Sequence, residues 1–294
     1  MSYFLIIFYY FISAGVDVID KFLLSKRKIR PLSYTFFTVV TGLILLVLWP
    51  WNFEAISAYD IGLDLLSGVL FTLAIYTFFK ALSRGEVSRV VPFIFAIVPL
   101  TDILIGLLFG RNLLNIKEIA ALWLLVPGAV LIVYRKQDFV GKNIALKISS
   151  AFLWSTYYAL WQFAAKDGVA LNHLMWNRIG AAGILLLLIL VPQARKKVFL
   201  FKEIENKKQT SALFLLKQIL GGLNFVYLSF LLILFKIPIV NALMGFRYLF
   251  LILAALVLSH YGKNILDENL NRRVFWQKMF AIVLIFAGTA ILFI

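Results

Sequence analysis

Asp17, Asp20 and Lys21 lie in "AGVDVIDKFLLSKRKIRP", residues 14–31, before the chain reaches the basic cluster Lys26, Arg27, Lys28 and Arg30. The residues that precede them are apolar enough to cross a membrane, and a charge near a bilayer centre costs about 3 kcal/mol on insertion scales. Asp17 is nine residues ahead of the cluster, roughly 13 Å of helix, and so near mid-depth. Lys21 follows one turn later on the same face, the favourable acid-before-base order. Two readings compete. In one, Asp17 is a carboxylate that binds a proton or substrate and is held by Lys21. In the other, Lys21 snorkels to the interface and neutralises it. Asp20, nearer the loop, reads as structural.

Two more charges fall within apolar runs. Asp102 sits in "VPFIFAIVPLTDILIGLLFGR", between Pro99 and Gly106, and Arg247 sits in "VNALMGFRYLFLILAALVLSH". A proline frees a carbonyl one turn back, and irregular backbone is tolerated where it lines a cavity. An arginine at that depth needs a partner: an internal carboxylate, Asp102 or Asp17, or the carboxylate or phosphate of a substrate. A guanidinium fork suits either. Asp17 and Asp102 are the proton-coupling candidates. Tyr76, Tyr157, Trp161, Gln162, Asn224, Tyr227 and Asn241 are cavity neighbours on the same reading and helix-packing residues on the plainer one.

The elements that must position these groups are membrane helices. The chain of 294 residues is 63% hydrophobic and only 15% charged, with mean hydropathy +0.94. A soluble protein has about half its residues apolar, so this chain is an integral membrane protein. Its net charge of +15 comes from short basic connections, which fits a positive-inside bias and not a nucleic-acid surface. The absence of cysteine excludes disulfides and thiol chemistry. The first apolar run has no basic n-region and no small-residue cleavage site, so it reads as a span and not a signal peptide. There is no Walker loop, no Gly-rich nucleotide fingerprint and no paired-histidine zinc motif, and His173 and His260 are solitary near span ends. The sequence therefore predicts no enzyme, no cofactor and no metal.

A helix crosses the hydrocarbon core in about 20 residues. That ruler predicts ten spans, at about 2–24, 33–49, 61–82, 88–109, 115–134, 146–166, 172–192, 211–234, 238–261 and 275–294. Of the 29 Lys and Arg, 22 gather at the odd-numbered connections and their flanking helix ends, against 5 at the even ones. Lys21 and Arg247 lie inside spans. Basic connections face the cytoplasm, which predicts both termini outside. The loop "WPWNFEAISAYD" agrees, with no cation but with Trp49, Trp51 and Tyr59.

Five spans followed by five more suggest a repeat. "ISAGVDVIDKFL" and "STYYALWQFAAKDG" each carry a lysine near the end, Lys21 and Lys166, and spans 4 and 9 match in length and apolar rhythm. A unit with an odd number of spans must return inverted. The predicted fold is therefore all-α, ten transmembrane helices in two inverted five-helix repeats, 1–137 and 138–294. Inverted repeats are a recurrent architecture of secondary transporters, with substrate bound near the midplane.

The sequence resembles the ten-span EamA-like branch of the drug/metabolite transporter superfamily along essentially its whole length. The resemblance is carried by the five-plus-five plan, the lysines ending spans 1 and 6, "ALSRGEVSRVVPFIFAIVPLTDILIGLLFG" and "SSAFLWSTYYALWQFAAK". Where the family closes spans 4 and 9 with Gly-Glu, this chain has Gly110-Arg111 and Ser259-His260, so no role of that glutamate carries over. The mid-span proline is present as Pro99 and has no counterpart near Tyr248.

The resemblance implies a helical basket with spans 1, 3, 4, 6, 8 and 9 around a central cavity, and spans 5 and 10 outside it. It also implies transport of a small metabolite by exchange or proton coupling. The expectation is a secondary transporter in the inner membrane of a prokaryote, working by alternating access, as a monomer or homodimer whose partners are a small-molecule substrate and membrane lipids. A flippase for a lipid-linked precursor is the alternative, and a membrane-embedded enzyme or assembly subunit comes after it.

Overall fold

The computed structural model describes residues 2–51, 56–108, 115–134, 141–164, 170–199, 206–234, 240, 243–260 and 271–293. They form α1 (Ser2–Ser25), α2 (Pro31–Gly42), a 3-10 segment (Leu43–Trp51), α3 (Ala58–Arg84), α4 (Val87–Leu108) and α5 (Ile116–Val133). The second half holds α6 (Gly141–Ala164), α7 (Ala170–Leu190), α8 (Pro192–Val198), α9 (Lys207–Leu234), α10 (Gly245–His260) and α11 (Arg272–Phe293). The described residues contain helices and no strands.

Local sequence sets several helix ends. Pro31 and Pro192 occupy the first turns of α2 and α8, where a missing N–H costs nothing. The Ser57 hydroxyl accepts from the Asp60 N–H to cap α3. Asn115 and Glu118 form a reciprocal capping box on α5. Two features depart from the sequence reading. The second span turns into 3-10 helix after Gly42. The long connection after span 7 contains α8, because "PQARKKV" has a proline start and a basic last turn that suit the helix dipole.

Burial is reversed relative to a water-soluble protein. Lys278, Arg89 and Asp17 are 0%, 1% and 2% exposed, whereas Trp123, Leu190 and Ile44 are 77%, 76% and 73% exposed. Only an apolar solvent makes that arrangement favourable, since large apolar surfaces would otherwise face water. By length and composition, Ala58–Arg84, Asn172–Leu190 and Arg272–Ile291 suffice to cross a bilayer, and Pro31–Val47, Val87–Val98 and Gly245–Leu258 are shorter apolar helices.

α3 packs along both α6 and α7, α4 lies against α5 and α6, and α5 pairs with α11. α1 packs on α9 and α10. The α3–α7 approach is close because both helices present glycine. A Cβ on Gly68 would overlap the backbone of Asn177 and Ala181, and one on Gly180 would overlap that of Leu65. Small residues at a helix contact are how membrane helices gain dispersion contact without a hydrophobic drive.

Candidate functional site

α1 and α10 meet through the charges that neither could carry alone. The Arg247 guanidinium donates Nε–H to Asp17 Oδ2 and Nη2–H to Oδ1, both at 2.8 Å. The fork satisfies both carboxylate oxygens, the geometry in which an ion pair best offsets its desolvation. Arg247 also lies over the Phe95 ring of α4, 4.8 Å from its centroid. Next to it, Tyr248 is fully buried and its hydroxyl finds no hydrogen-bond partner.

From Phe95 an aromatic chain runs across the molecule. Phe95 meets Trp154 of α6 at 6.2 Å between centroids, and Trp154 meets Phe71 of α3 at 5.8 Å. Tyr157 and Tyr158 flank Trp154 at 5.7 and 5.5 Å. At the far end, Arg178 of α7 lies over Phe71 at 4.6 Å. Two guanidinium groups thus bracket one aromatic wall. Along it, Trp154 Nε1 and Arg178 Nε find no hydrogen-bond partner.

The other charges of α1 go elsewhere. Lys21 donates to the Leu82 carbonyl of α3 at 3.1 Å, so Arg247 is the residue that forks Asp17. Asp20 accepts from the Tyr34 hydroxyl of α2 and from Lys217 of α9, Nζ to Oδ1 3.3 Å. Lys217 in turn lies 5.3 Å from both the Tyr34 and Phe79 ring centroids. Asp20 therefore joins three helices, in keeping with its structural reading.

Tyr34 of this cluster also borders a cavity of about 530 Å³, lined by Ile29, Tyr34, Phe37 and Thr41 from the α2 side and by Lys207, Thr210, Ser211, Phe214 and Leu215 from α9. α2 and α9 touch here through side chains. Gln218 reaches the Thr41 hydroxyl, and Phe214 meets Tyr34 at 5.3 Å. Arg27 donates to Gln209 of α9 at 3.2 Å.

The α3–α7 seam is closed by polar pairs. His173 Nδ1 lies 2.7 Å from Asp64 Oδ2, Asn177 donates to the Ser67 hydroxyl at 2.7 Å, and Thr72 donates to the Ala181 carbonyl at 3.2 Å.

A further buried ionic group stands at the α3–α4 turn. Glu86 pairs with Lys278 at 2.6 Å and with Arg89 at 2.9 Å. Lys278 also donates to Ser88 at 2.8 Å and Arg89 to the Ile132 carbonyl at 2.7 Å, which joins α4, α5 and α11. Burial raises the Glu86 carboxyl, but Lys278 and Arg89 together more than offset it and hold the group below its ordinary range.

Asn224 donates to Ser13 at 2.8 Å and Tyr227 to the Leu5 carbonyl at 3.1 Å, which puts both at the α1–α9 contact. Tyr157 belongs to the aromatic wall, and Trp161 lies one turn further along α6 with an unpartnered Nε1. Tyr76 carries Lys80 of its own helix over its ring at 5.4 Å. Asp102 is within α4, but its side chain, that of Gln162 and all of Asn241 lie outside the described residues. Sequence reading missed Arg178, Lys217 and Lys278 as interior charges, because each lies near enough to a helix end to be counted with a connection, Lys217 and Lys278 with basic ones and Arg178 with an even-numbered one. Their depth inside the apolar runs was the available signal. Among the described residues no group of His, Asp and Glu could hold a metal ion.

The fold and its charge-paired interior define a multi-pass helical membrane protein. Residues 1–134 match the model of the EamA-like transporter family, so that stretch of the chain is similar to it. The resemblance read from the sequence is thus matched over residues 1–134. No curated protein matches the chain.

Proposed function

We propose that this protein is a secondary transporter that carries a small metabolite or amphipathic solute across the cytoplasmic membrane of a prokaryote by alternating access. On this reading ten spans form two inverted repeats, with both termini outside and the basic connections in the cytoplasm.

The observation that carries the reading is an asymmetry between two helix pairs. An inverted repeat would relate α3 to α9 and α7 to α2. The α3–α7 pair is zipped by glycine packing and by the Asp64–His173 and Ser67–Asn177 contacts. Its counterpart, α2–α9, borders a 530 Å³ cavity. In the closed pair α3 begins next to the cation-free loop, whereas both helices of the open pair begin next to basic loops. One seam shut and its equivalent open is what alternating access requires of each end state. The carrier would rest with its cytoplasmic gate open.

The absence of cysteine makes the test direct. Single cysteines at Thr210 and at Ser67 are introduced and labelled in sealed vesicles of known orientation. Thr210→Cys should react from the basic side and Ser67→Cys should not, and a solute that restores Ser67→Cys labelling is a transport substrate. Labelling of both positions with every solute, or of neither, defeats the proposal. Proton coupling through Asp17 or Asp102 belongs to the same reading. Asp17→Asn or Asp102→Asn should remove the pH dependence of uptake from a protein that still folds.

A flippase for a lipid-linked precursor is the second reading. It is favoured by the apolar residues Ile29, Phe37, Phe214 and Leu215 around the cavity, which suit an acyl chain. Scrambling of a short-chain fluorescent lipid in reconstituted vesicles separates the two readings.

A further inference from the structure

Arg178 is an interior cation with no carboxylate against it among the described residues. It lies eight residues into α7, about 12 Å along the helix axis and so well inside the bilayer's apolar slab. Asp64, on the neighbouring helix, holds His173 through Oδ2 at 2.7 Å while its Oδ1 has no hydrogen-bond partner, and Asp17 holds Arg247 at 2.8 Å. The Phe71 face, 4.6 Å away, offers a cation–π contact to one side of the guanidinium. A π face accepts no in-plane hydrogen bond, and Nε remains buried without a partner.

A Cβ built on Gly42 would meet Cδ and Nη1 of Arg178, both at 3.8 Å, and nothing else from outside its own helix turn within 4 Å. Arg178 thus packs against the end of α2, next to the aromatic wall of Phe71, Trp154 and Tyr157, and its side chain is only partly buried. A desolvated cation without a counter-charge costs stability, and a protein retains such a group most readily where a ligand supplies the missing charge.

We propose that Arg178 receives the anionic group, a carboxylate or a phosphate, of the solute this protein carries, with the apolar part of that solute against Phe71 and Trp154. The inference rests on the transport reading and names its substrate class. The same anion could arrive from water or as a lipid headgroup.

The test uses the full chain in nanodiscs, with Trp154 beside the site as the fluorescence reporter and phenyl phosphate, benzylamine and phosphatidylglycerol as probes. In phosphatidylcholine nanodiscs phenyl phosphate should change the tryptophan emission of the parent protein saturably, and benzylamine should not. Arg178→Gln should weaken that binding by at least about tenfold, the scale of one charge-assisted hydrogen bond. Gly42→Leu, which sets bulk against the Arg178 guanidinium and keeps the charge, should weaken it as well.

Without ligand, Arg178→Gln should melt at the parent's temperature or above it. An Arg178-dependent rise in melting temperature in phosphatidylglycerol nanodiscs, with no response to phenyl phosphate, assigns the anion to the bilayer. The proposal is overturned if neither anionic probe responds, if Gln and parent respond equally, or if unliganded Arg178→Gln melts far below the parent as a structural arginine would. Phenyl phosphate that binds through Arg178 but is never accumulated by proteoliposomes leaves this site standing and removes the transport reading.

Discussion

Asp17 and Arg247, 230 residues apart in sequence, face each other as a two-bond fork with both N···O distances at 2.8 Å. The contact joins the first helix to α10 and removes two charges from the apolar interior at once. Breaking a buried pair from one side leaves an uncompensated charge and costs about 3–5 kcal/mol. Asp17→Asn and Arg247→Met should each lower the melting temperature substantially, whereas the double variant should recover most of the loss. A double variant as unstable as the sum of the two would show that the residues act independently.

The Glu86 cluster gives a pH dependence of definite sign. Its carboxyl lies below its ordinary value of 4.5 in the folded protein, so the folded state holds that proton less tightly than the unfolded one. The stabilisation is complete above about pH 5 and fades as pH falls through the folded-state value. Thermal melts between pH 7 and 4 should show this loss in the parent and a flatter profile in Glu86→Gln. Equal slopes would remove Glu86 as the source.

At the α3–α7 seam the limit is volume. Gly68→Ala and Gly180→Ala place a methyl into opposing backbone, which no rotamer change relieves, so each should cost about 1–3 kcal/mol as overpacking does. Gly183, whose Cβ would meet nothing within 4 Å, is the control, and Gly183→Ala should be neutral or slightly stabilising through helix propensity. Melting temperatures in one detergent read all three.

The Asp20 cluster should divide unequally. Tyr34→Phe removes one hydrogen bond to Asp20 and keeps the ring between Phe79 and Phe214, a loss of about 1 kcal/mol. Lys217→Met removes the cation that faces Asp20 at 3.3 Å and should cost several times as much. A larger effect of Tyr34→Phe would mean that Lys217 contributes little to Asp20.

Much of this was legible in the sequence. Apolar runs of helical length located the described helices to within about seven residues, except where α8 folds within a basic connection. Asp17 and Arg247 stood out because a charge in the middle of an apolar run has few places to go. The choice between Asp17 and Asp102 as the arginine's partner was not legible, since helix periodicity fixes which face a residue occupies and not which helix comes to meet it.

By itself the sequence determined the solvent, the secondary structure and the need for interior charge compensation, because these follow from local hydropathy and from the cost of a charge in hydrocarbon. Only the tertiary structure decided which cations turn inward. Lys217 and Lys278 read as basic helix ends, and packing brings them to Asp20 and Glu86. Arg178 reads as a helix-end charge too, and packing lays it over Phe71 with no carboxylate against it among the described residues. A long cationic side chain near a helix end reaches either the interface or the interior, and the direction depends on neighbours contributed from more than a hundred residues away.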